Sequence, residues 1–321
     1  MSGFVCRPAE IEDAELASDL ITTSYPELPE DPKLKRYFWA HPRSGWRTAR
    51  YIAEAIGEPV AFVSWTHGPW EQVAARNAYV EVYLDPAHLG SDLPVALWEW
   101  VAADALADGA MILEAQVVED EPEMIEALES VGFQRDRTER VWELDLATHG
   151  QRLVEDADAA RAKAQAEGIE MLTLAQWSDP DARRKLHALA ELTRRDVPTS
   201  YPIPPQSYED FVERMNTPDR RQDRVWIASA AGDPVALSFL RFPPVRGPVW
   251  TGYTCTHPDY RGRGLARGIK LQTLAQAAKL GVPTVLTDND SENAPMLHIN
   301  EALGYHARRG FISFVKRVNS N

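Results

Sequence analysis

The amino-acid sequence predicts a mixed α/β protein built from two copies of one domain. Three observations lead to this prediction. Short motifs recur in the same order in the two halves of the chain, at nearly constant spacing. Segments with strand-like and helix-like apolar patterns alternate in the same order in each copy. The composition, with 44% hydrophobic and 26% charged residues among 321, is that of a globular protein.

Four pairs of segments carry the repeat. Two of the pairs are especially clear, because one reads Thr-Ser-Tyr-Pro in both copies and another ends in Gly-Glu/Asp-Pro-Val-Ala. The pairs are residues 23–26 with 199–202, 52–61 with 227–236, 84–86 with 256–258, and 124–133 with 296–305. Gly-acidic-Pro between two apolar runs is turn chemistry that joins strands. Gly followed by an aromatic residue ends a helix and begins a strand. The repeat therefore indicates a duplicated domain.

The elements of the second copy follow the order β-α-α-β-β-β-α-β-α-β. The first helix is predicted from the helical spacing of Leu186, Leu189 and Leu192, and the central hairpin is predicted from its Gly-Asp-Pro turn. Strands are predicted at residues 169–174, 225–230, 235–242, 249–256, 284–287 and 311–317. Helices are predicted at 179–195, 208–215, 265–280 and 294–302, with a Pro-rich loop at 198–205.

The domain organisation follows from the repeat. The first domain is predicted at residues 1–146 and the second at 169–321. Residues 147–168 between them are rich in Ala and charge without a wide apolar face, so an exposed linking helix is expected. In the first copy, residues 95–107 are predicted to form a helix in which Trp98 and Trp100 pack.

Composition and charge exclude several classes of protein. A net charge of −14 disfavours binding to nucleic acid, which needs clustered cations, and weakly favours approach of an amine. No apolar run reaches the roughly 20 residues of a membrane helix, and the first residues lack signal-peptide features, so we expect a cytoplasmic protein that does not bind membranes. Cys6 and Cys255 cannot form a disulfide framework, and no metal site is predicted.

The sharpest motif is a glycine-rich stretch at residues 256–266, Thr-His-Pro-Asp-Tyr-Arg-Gly-Arg-Gly-Leu-Ala, between a predicted strand and a predicted helix. Glycines let the backbone approach a ligand, and the first turn of a helix offers unpaired N–H groups and a positive dipole end. Such a turn binds a diphosphate. Cationic side chains suited to phosphates follow at Arg261, Arg263, Arg267 and Lys270.

The spacing of this motif excludes two common phosphate-binding loops. It lacks the G-K-[ST] ending of a Walker A loop, and it lacks the G-x-G-x-x-G of a dinucleotide fold. A basic turn at a helix start that binds no ligand is the remaining alternative.

The pattern R-x-x-G-x-A at Arg261, Gly264 and Ala266, behind Thr-His-Pro, resembles the coenzyme A signature of the GNAT acyltransferase superfamily. Residues 287–296 and 300–305 resemble the closing motif of a GNAT subgroup. The resemblance covers the whole second copy and, more faintly, the first. It implies a tandem GNAT fold, in which each copy has a mixed, mostly antiparallel central sheet flanked by helices. This architecture is similar to that of mycothiol synthase and of some antibiotic N-acetyltransferases.

The resemblance also implies roles for individual residues, with acetyl-CoA as the cofactor. The end of the strand would bind the pantetheine arm through Cys255, Thr256 and His257, and the N–H of Thr256 would stabilise an oxyanion. Asn293 would contact the cofactor. The diphosphate would lie on the backbone N–H groups of Arg261, Gly262, Arg263, Gly264, Leu265 and Ala266.

The residue at the position of the family's general acid departs from the family pattern, and the general base is left open by the sequence. Asn300 stands where many GNAT enzymes have a Tyr that protonates the leaving thiolate, and an amide is a poor proton donor. Candidate bases are Tyr253, His257 and Asp288, besides a water chain. Tyr253 and His257 share one face of a regular strand, and the unperturbed pKa of a histidine is near 6.5.

The first copy is predicted not to bind coenzyme A. Leu89, Asp92 and Pro94 stand at the positions of the signature residues, and Asp92 would repel a diphosphate. Glu81 stands at the position of Tyr253 and is interpreted as a strand surface residue. The degenerate copy could instead cover apolar surface or wall the acceptor pocket. By resemblance, Tyr201 and Tyr208 would flank that pocket; a rigid connector is the alternative.

The resemblance predicts transfer of an acetyl group to a primary amine of a small molecule, such as a metabolite or antibiotic. The amine would attack directly in a ternary complex, and Cys255 is expected to pack rather than act as a nucleophile. The alternative function is an acyl-CoA-binding pseudoenzyme or sensor without turnover. The sequence leaves the oligomeric state open between a monomer and a homodimer.

Overall fold

The computed structural model describes residues 3–199, 201 and 204–318. The first copy contributes strands β1 (Phe4–Pro8), β2 (Arg47–Ala55), β3 (Glu58–His67), β4 (Asn77–Leu84), β5 (Ile112–Val118) and β6 (Gln134–Asp145). The second contributes β7 (Ile169–Thr173), β8 (Val225–Ala230), β9 (Asp233–Arg241), β10 (Val249–Thr256), β11 (Thr284–Asp290) and β12 (His306–Arg317). Both copies therefore have the strand order that the repeat predicts.

The helices are α1 (Ala14–Ser24), α2 (Pro32–Ala40), α3 (Leu93–Ala107), α4 (Pro122–Ser130), α5 (Leu146–Ala166), α6 (Ala182–Arg194), α7 (Tyr208–Met215), α8 (Leu265–Lys279) and α9 (Ala294–Leu303). In the second copy, α6 and α7 cover one face of the sheet, and α8 and α9 pack in a separate core cluster with β11. In the described part of the chain, no helix is both long and apolar enough to span a membrane.

The predicted elements agree closely with this fold, apart from two strands. β8, β10 and α7 have the predicted bounds. β11 continues three residues beyond the prediction, to Asp290, and β12 begins five residues earlier, at His306. These extensions carry polar residues with low strand propensity. They are held in place because both strands pair with the long strand β6.

The two copies exchange their last strands. The sheet has the order β1-β2-β3-β4-β5-β12-β6-β11-β10-β9-β8-β7. β6 thus lies beside β11 of the second copy, while β12 lies beside β5 of the first. The cores follow the exchange, since Trp142 and Leu144 of β6 pack in the cluster with α8, and Ile312 and Phe314 of β12 pack in the cluster of the first copy. One continuous sheet results.

Helix α5 is not the exposed linker that composition predicts. It packs along α8, and its buried residues include Gly150, Leu153, Ala157 and Ala164. A Cβ on Gly150 would lie 3.1 Å from Ala278, so the helices approach closely there. Gly150, Ala157 and Ala164 are small, so the sequence does not show an apolar face there. Because they recur every seven residues, they lie along one side of α5 and cover one side of α8. That helix is consequently buried on both its sheet face and its outer face.

Candidate active site

The glycine-rich turn joins β10 to the start of α8. Gly262 and Gly264 have φ values of 76° and 80°, in the left-handed region that favours glycine. A Cβ at either position would meet no atom within 4 Å, so the turn faces open space. The backbone conformation, rather than crowding, is therefore the reason for glycine at both positions. His257 fixes the approach to the turn, because its N–H donates to Val235 O at 2.8 Å.

The N–H groups at the start of α8 are the donors that the turn presents. The first turn of a helix leaves its N–H groups without intrahelical partners. The N–H of Arg261, by contrast, donates to Pro258 O at 3.2 Å within the short turn that precedes the glycines. The open donor set therefore begins after Arg261.

Three predicted phosphate-binding arginines lie around this turn. Arg261 is half-exposed and pairs with Asp196, Arg263 stacks 4.9 Å from the ring centroid of Tyr260, and Arg267 lies 3.5 Å from Asp156 on α5. These are surface contacts that a phosphate could replace, since exposed ion pairs contribute only about 0–1 kcal/mol.

The predicted role of Lys270 as a phosphate-binding cation is wrong. It is fully buried, and its Nζ donates to Asn300 Oδ1 at 2.6 Å, so it cannot reach a phosphate at the head of α8. The amide of Asn300, itself buried, donates in turn to Asn289 Oδ1 at 2.5 Å. Burial lowers the pKa of Lys270 to about 7, against the raising effect of the Asp288 charge. This side-chain network was missed because the sequence alone does not show which way Lys270 points.

β10 and β11 separate as they approach the turn, and we call the gap between them the cleft. They pair in parallel only at Val249–Val285 and Trp250–Leu286. A bulge in β10 at Gly252 interrupts its pairing with β9 immediately beyond this point. A Cβ on Gly252 would lie 2.0 Å from a ring carbon of Phe239, which explains the glycine. Bulges are frequent beside active sites, where they redirect a strand.

The three residues at the strand end lie in different environments. Cys255 is buried in the cluster with α6 and α7, as its predicted packing role requires, and burial raises its pKa to about 11. The hydroxyl oxygen of Thr256 is buried and has no hydrogen-bond partner among the described residues. His257 is half-buried, and its Nδ1 accepts the N–H of Asp259 at 3.3 Å.

The candidate bases differ in their contacts. Tyr253 is hydrogen-bonded to Thr193 at 3.1 Å, and burial raises its pKa to about 12, so its hydroxyl stays protonated at neutral pH. Asp288 is exposed on β11 and accepts the indole N–H of Trp250 at 2.6 Å. β10 ends at Thr256, one residue before His257, but the N–H of His257 still donates to Val235 O and so continues the pairing with β9. That Tyr253 and His257 share one face therefore stays a prediction.

Asn293 lies at the start of α9, as the resemblance implies. Its side chain accepts the N–H of Met296 at 3.4 Å, which caps that helix. The structure thus gives Asn293 a structural partner, and contact with a cofactor stays a prediction.

A cavity of about 630 Å³ borders the segment between α6 and α7. Tyr201 lines it, whereas Tyr208 does not and packs under the guanidinium of Arg184. Part of the predicted loop at 198–205, namely residues 200, 202 and 203, lies outside the described residues. The opposite wall includes Arg137 from β6, which donates to Asp290 at 2.6 Å, and Glu292. The exchanged strand of the first copy therefore walls this cavity.

The first copy has a different turn at the equivalent position. Asp92 before α3 has a right-handed φ of −76°, where Gly264 is left-handed. Pro94 also removes one N–H from the first turn of α3. Glu81 is not the plain surface residue that the sequence suggests, because it is half-buried and accepts the hydroxyl of Ser64 at 2.5 Å.

The fold is that of a family of acetyltransferases. The sequence pattern of the acetyltransferase (GNAT) family matches residues 14–133 and again residues 186–305. The chain therefore belongs to the GNAT family, in a tandem arrangement. No curated protein sequence matches the chain significantly.

Solved structures with the same fold cover nearly the whole chain. A tandem GNAT protein from the clavulanic acid biosynthesis pathway, without AcCoA, aligns over 99% of this chain and all of its own, with a TM-score of 0.75 and 16% identity. A GCN5-related N-acetyltransferase from Sphaerobacter thermophilus aligns over 98% and 95%, with a TM-score of 0.70 and 17% identity. A GNAT-family acetyltransferase from Colwellia psychrerythraea aligns over 98% of this chain and all of its own, with a TM-score of 0.60 and 13% identity. Likeness at such identities is evidence of a shared fold alone.

Proposed function

We propose that the protein transfers an acetyl group from acetyl-CoA to the primary amine of a small molecule, and that only the second copy binds the cofactor. The observation that carries this proposal is the turn with two left-handed glycines at the head of α8, beside the opening between β10 and β11. Open backbone donors at a helix start are suited to a diphosphate. The equivalent turn of the first copy lacks both the left-handed residues and the cations.

The residues of the second copy fit coenzyme A. The backbone from Gly262 to Ala266 would hold the diphosphate, with Arg263 and Arg267 at its edge. The unpartnered hydroxyl of Thr256 and the cleft beside it would receive the pantetheine arm. When bound, acetyl-CoA supplies the acetyl group as a thioester. Backbone N–H groups at the strand end would stabilise developing negative charge on the carbonyl oxygen.

The amine would enter from the cavity bordered by α6. Carboxylates of Glu191, Asp196 and Glu292 line it together with three arginines, and each carboxylate is in an ion pair. A cationic amine would replace an arginine on one of these carboxylates and then attack directly in a ternary complex. An ammonium group must lose a proton before it can attack. The raised pKa of Tyr253 disfavours its hydroxyl as the base, so His257, Asp288 and a water chain are the bases that the proposal retains.

Asn300 is assigned the hydrogen bond to the departing sulfur. One of its two amide hydrogens is used by Asn289, and the other would have to be uncovered when the cofactor binds, because Asn300 is fully buried. The ammonium of Lys270 on the carbonyl oxygen of Asn300 polarises the amide, which makes the amide a stronger donor. Lys270 is therefore a positioning residue, and it explains how an amide can stand where other family members carry a tyrosine.

The second candidate function is an acyl-CoA sensor without turnover. The absence of a tyrosine hydroxyl at position 300 favours it. Thiol release on adding acetyl-CoA together with a set of amines distinguishes the two functions, because a sensor binds the cofactor and releases no thiol.

Calorimetric titration of acetyl-CoA tests the binding step. We expect one equivalent to bind the wild type, and none to bind Gly264→Asp. The matched control is Gly281→Asp, which makes the same change at the other end of α8, at a glycine with φ of 77° and equally open surroundings. Two equivalents would contradict the inactive first copy, and no binding to the wild type would reject the proposed function.

A further inference from the structure

A second cavity, of about 260 Å³, lies between the sheet of the first copy and α2. β2, β3 and β4 form its floor, and α2 with the segment that follows it forms one wall. Arg214, on α7 of the second copy, completes the lining. No residue of the glycine-rich turn lines this cavity, and the proposed function assigns none of its lining residues a role.

Three arginines line this cavity, and their guanidinium groups form no hydrogen bond with any residue that the structure describes. Nε of Arg43 and Nε of Arg214 are buried as well as unpartnered. Each guanidinium instead stacks on an aromatic ring: Arg43 on Trp46, Arg50 on Trp39 and Arg214 on Phe38, at 4.7, 5.0 and 5.2 Å from the ring centroids. Because buried polar groups are nearly always hydrogen-bonded, the two buried Nε groups of Arg43 and Arg214 in one cavity call for an acceptor.

The carboxylates of the cavity are already engaged. Glu30 pairs with Lys35 at 3.0 Å, and Glu81 accepts the hydroxyl of Ser64, although its charge also reaches Arg50.

The positive charges repel each other. Burial lowers the pKa of Arg43 to about 10, and the charge of Arg214 lowers it further against the opposing charge of Asp210. An anion between these two arginines would relieve the repulsion. On a protein of net charge −14, this is a local positive site.

We propose that the cavity binds a small aromatic carboxylate. Its carboxylate oxygens would accept hydrogen bonds from Arg43, Arg50 and Arg214, whose planar forks suit a carboxylate. Its ring would pack beside Trp39 and Trp46, against the parts of these side chains that Arg50 and Arg43 do not cover. The volume is below the roughly 300–1,000 Å³ of typical ligand sites, so the ligand is a small one. The site needs both copies, because Arg214 comes from the second.

Benzoate is the probe for this site, with tryptophan fluorescence as the readout because Trp39 and Trp46 line the cavity. We expect saturable quenching by benzoate that benzamide, its neutral analogue, does not produce. Arg50→Met and Arg214→Met should each weaken benzoate binding by about tenfold or more, since each removes charge-assisted hydrogen bonds. The matched control is Arg135→Met, which removes an exposed arginine paired with Glu129.

Several results would overturn this inference. Equal quenching by benzamide would indicate an apolar pocket without anion recognition, and equal affinity for inorganic phosphate would remove the aromatic requirement. Displacement of benzoate by acetyl-CoA would place benzoate at the cofactor site. Absence of saturable binding to the wild type, or unchanged affinity in both arginine variants with unchanged thermal unfolding, would reject the site itself. None of these results depends on acetyl transfer.

Discussion

The two copies share one fold but differ at the turn between their fourth strand and following helix. In the second copy this turn has Gly264 in a left-handed conformation with open space around it, and in the first copy it has Asp92 in a right-handed one. The strands before the turns also differ, since β10 bulges at Gly252 and β4 runs regularly through Val80. On the proposed function, a few backbone positions separate a binding copy from a structural one, while the fold is kept.

The largest expected effect is that of Gly264→Asp, which gives the second copy the residue of the first. A side chain at φ of 80° strains the backbone, and its negative charge repels a diphosphate. We expect calorimetry to show acetyl-CoA affinity falling by more than about 100-fold, which corresponds to roughly 3 kcal/mol. Retained affinity in this variant would show that the turn does not hold the cofactor.

The next effect concerns the bulge. Gly252→Val places a side chain against the ring of Phe239, where a Cβ alone would lie 2.0 Å away. Overpacking of this kind costs about 1–3 kcal/mol, so the melting temperature should fall and acetyl transfer should drop by at least about tenfold. Val80→Gly is the matched change in the first copy, and it should destabilise the protein while leaving acetyl-CoA affinity unchanged. An active Gly252→Val enzyme would show that the cleft does not need the bulge.

Lys270→Met separates a role in turnover from a role in folding. We expect kcat to fall by about tenfold with little change in KM for acetyl-CoA, because the polarised amide acts on the departing sulfur. The ratio of wild-type to variant rates should approach one as pH rises above about 7, where Lys270 loses its charge. A ratio that stays constant with pH would contradict the positioning role.

The same variant predicts a pH dependence of stability with a definite sign. The pKa of Lys270 falls from 10.5 when unfolded to about 7 when folded, so between these values the unfolded state binds more protons and stability rises with pH. The wild type should therefore gain stability relative to Lys270→Met from pH 7 to 10, by up to about 1.4 kcal/mol per pH unit. Denaturant unfolding at several pH values measures this gain, and a flat difference would mean that Lys270 is solvated.

The smallest expected effect is the reverse substitution in the first copy. Asp92→Gly restores one glycine but leaves Pro94 and the missing cations, so calorimetry should still give one equivalent of acetyl-CoA. A second equivalent would mean that a single residue separates the two copies.

The sequence predicted the fold where local signals are strong. The repeat, the element order and the glycine-rich turn are all local patterns, and β10 and α7 have the predicted bounds. The strand exchange was not predicted, because β6 and β12 descend from the same repeat position and sequence pattern does not say which sheet each joins. The packing of α5 was missed because its contacts use small side chains. Lys270 points inward because of the rotation of α8 about its own axis. Its charge led the sequence-based prediction to place it at the surface instead.

The exchange of last strands has a consequence for synthesis and evolution. Residues 134–145 reach their neighbour β11 only after the chain has been made to residue 290, and the sheet of the first copy waits for β12 near the chain's end. Neither copy therefore has all of its strand neighbours until the other copy has been made. A gene that lost its first half would also lose the strand beside β11 and one wall of the cavity. On the proposed function, the exchanged strands would explain why the first copy is retained although its turn binds no cofactor.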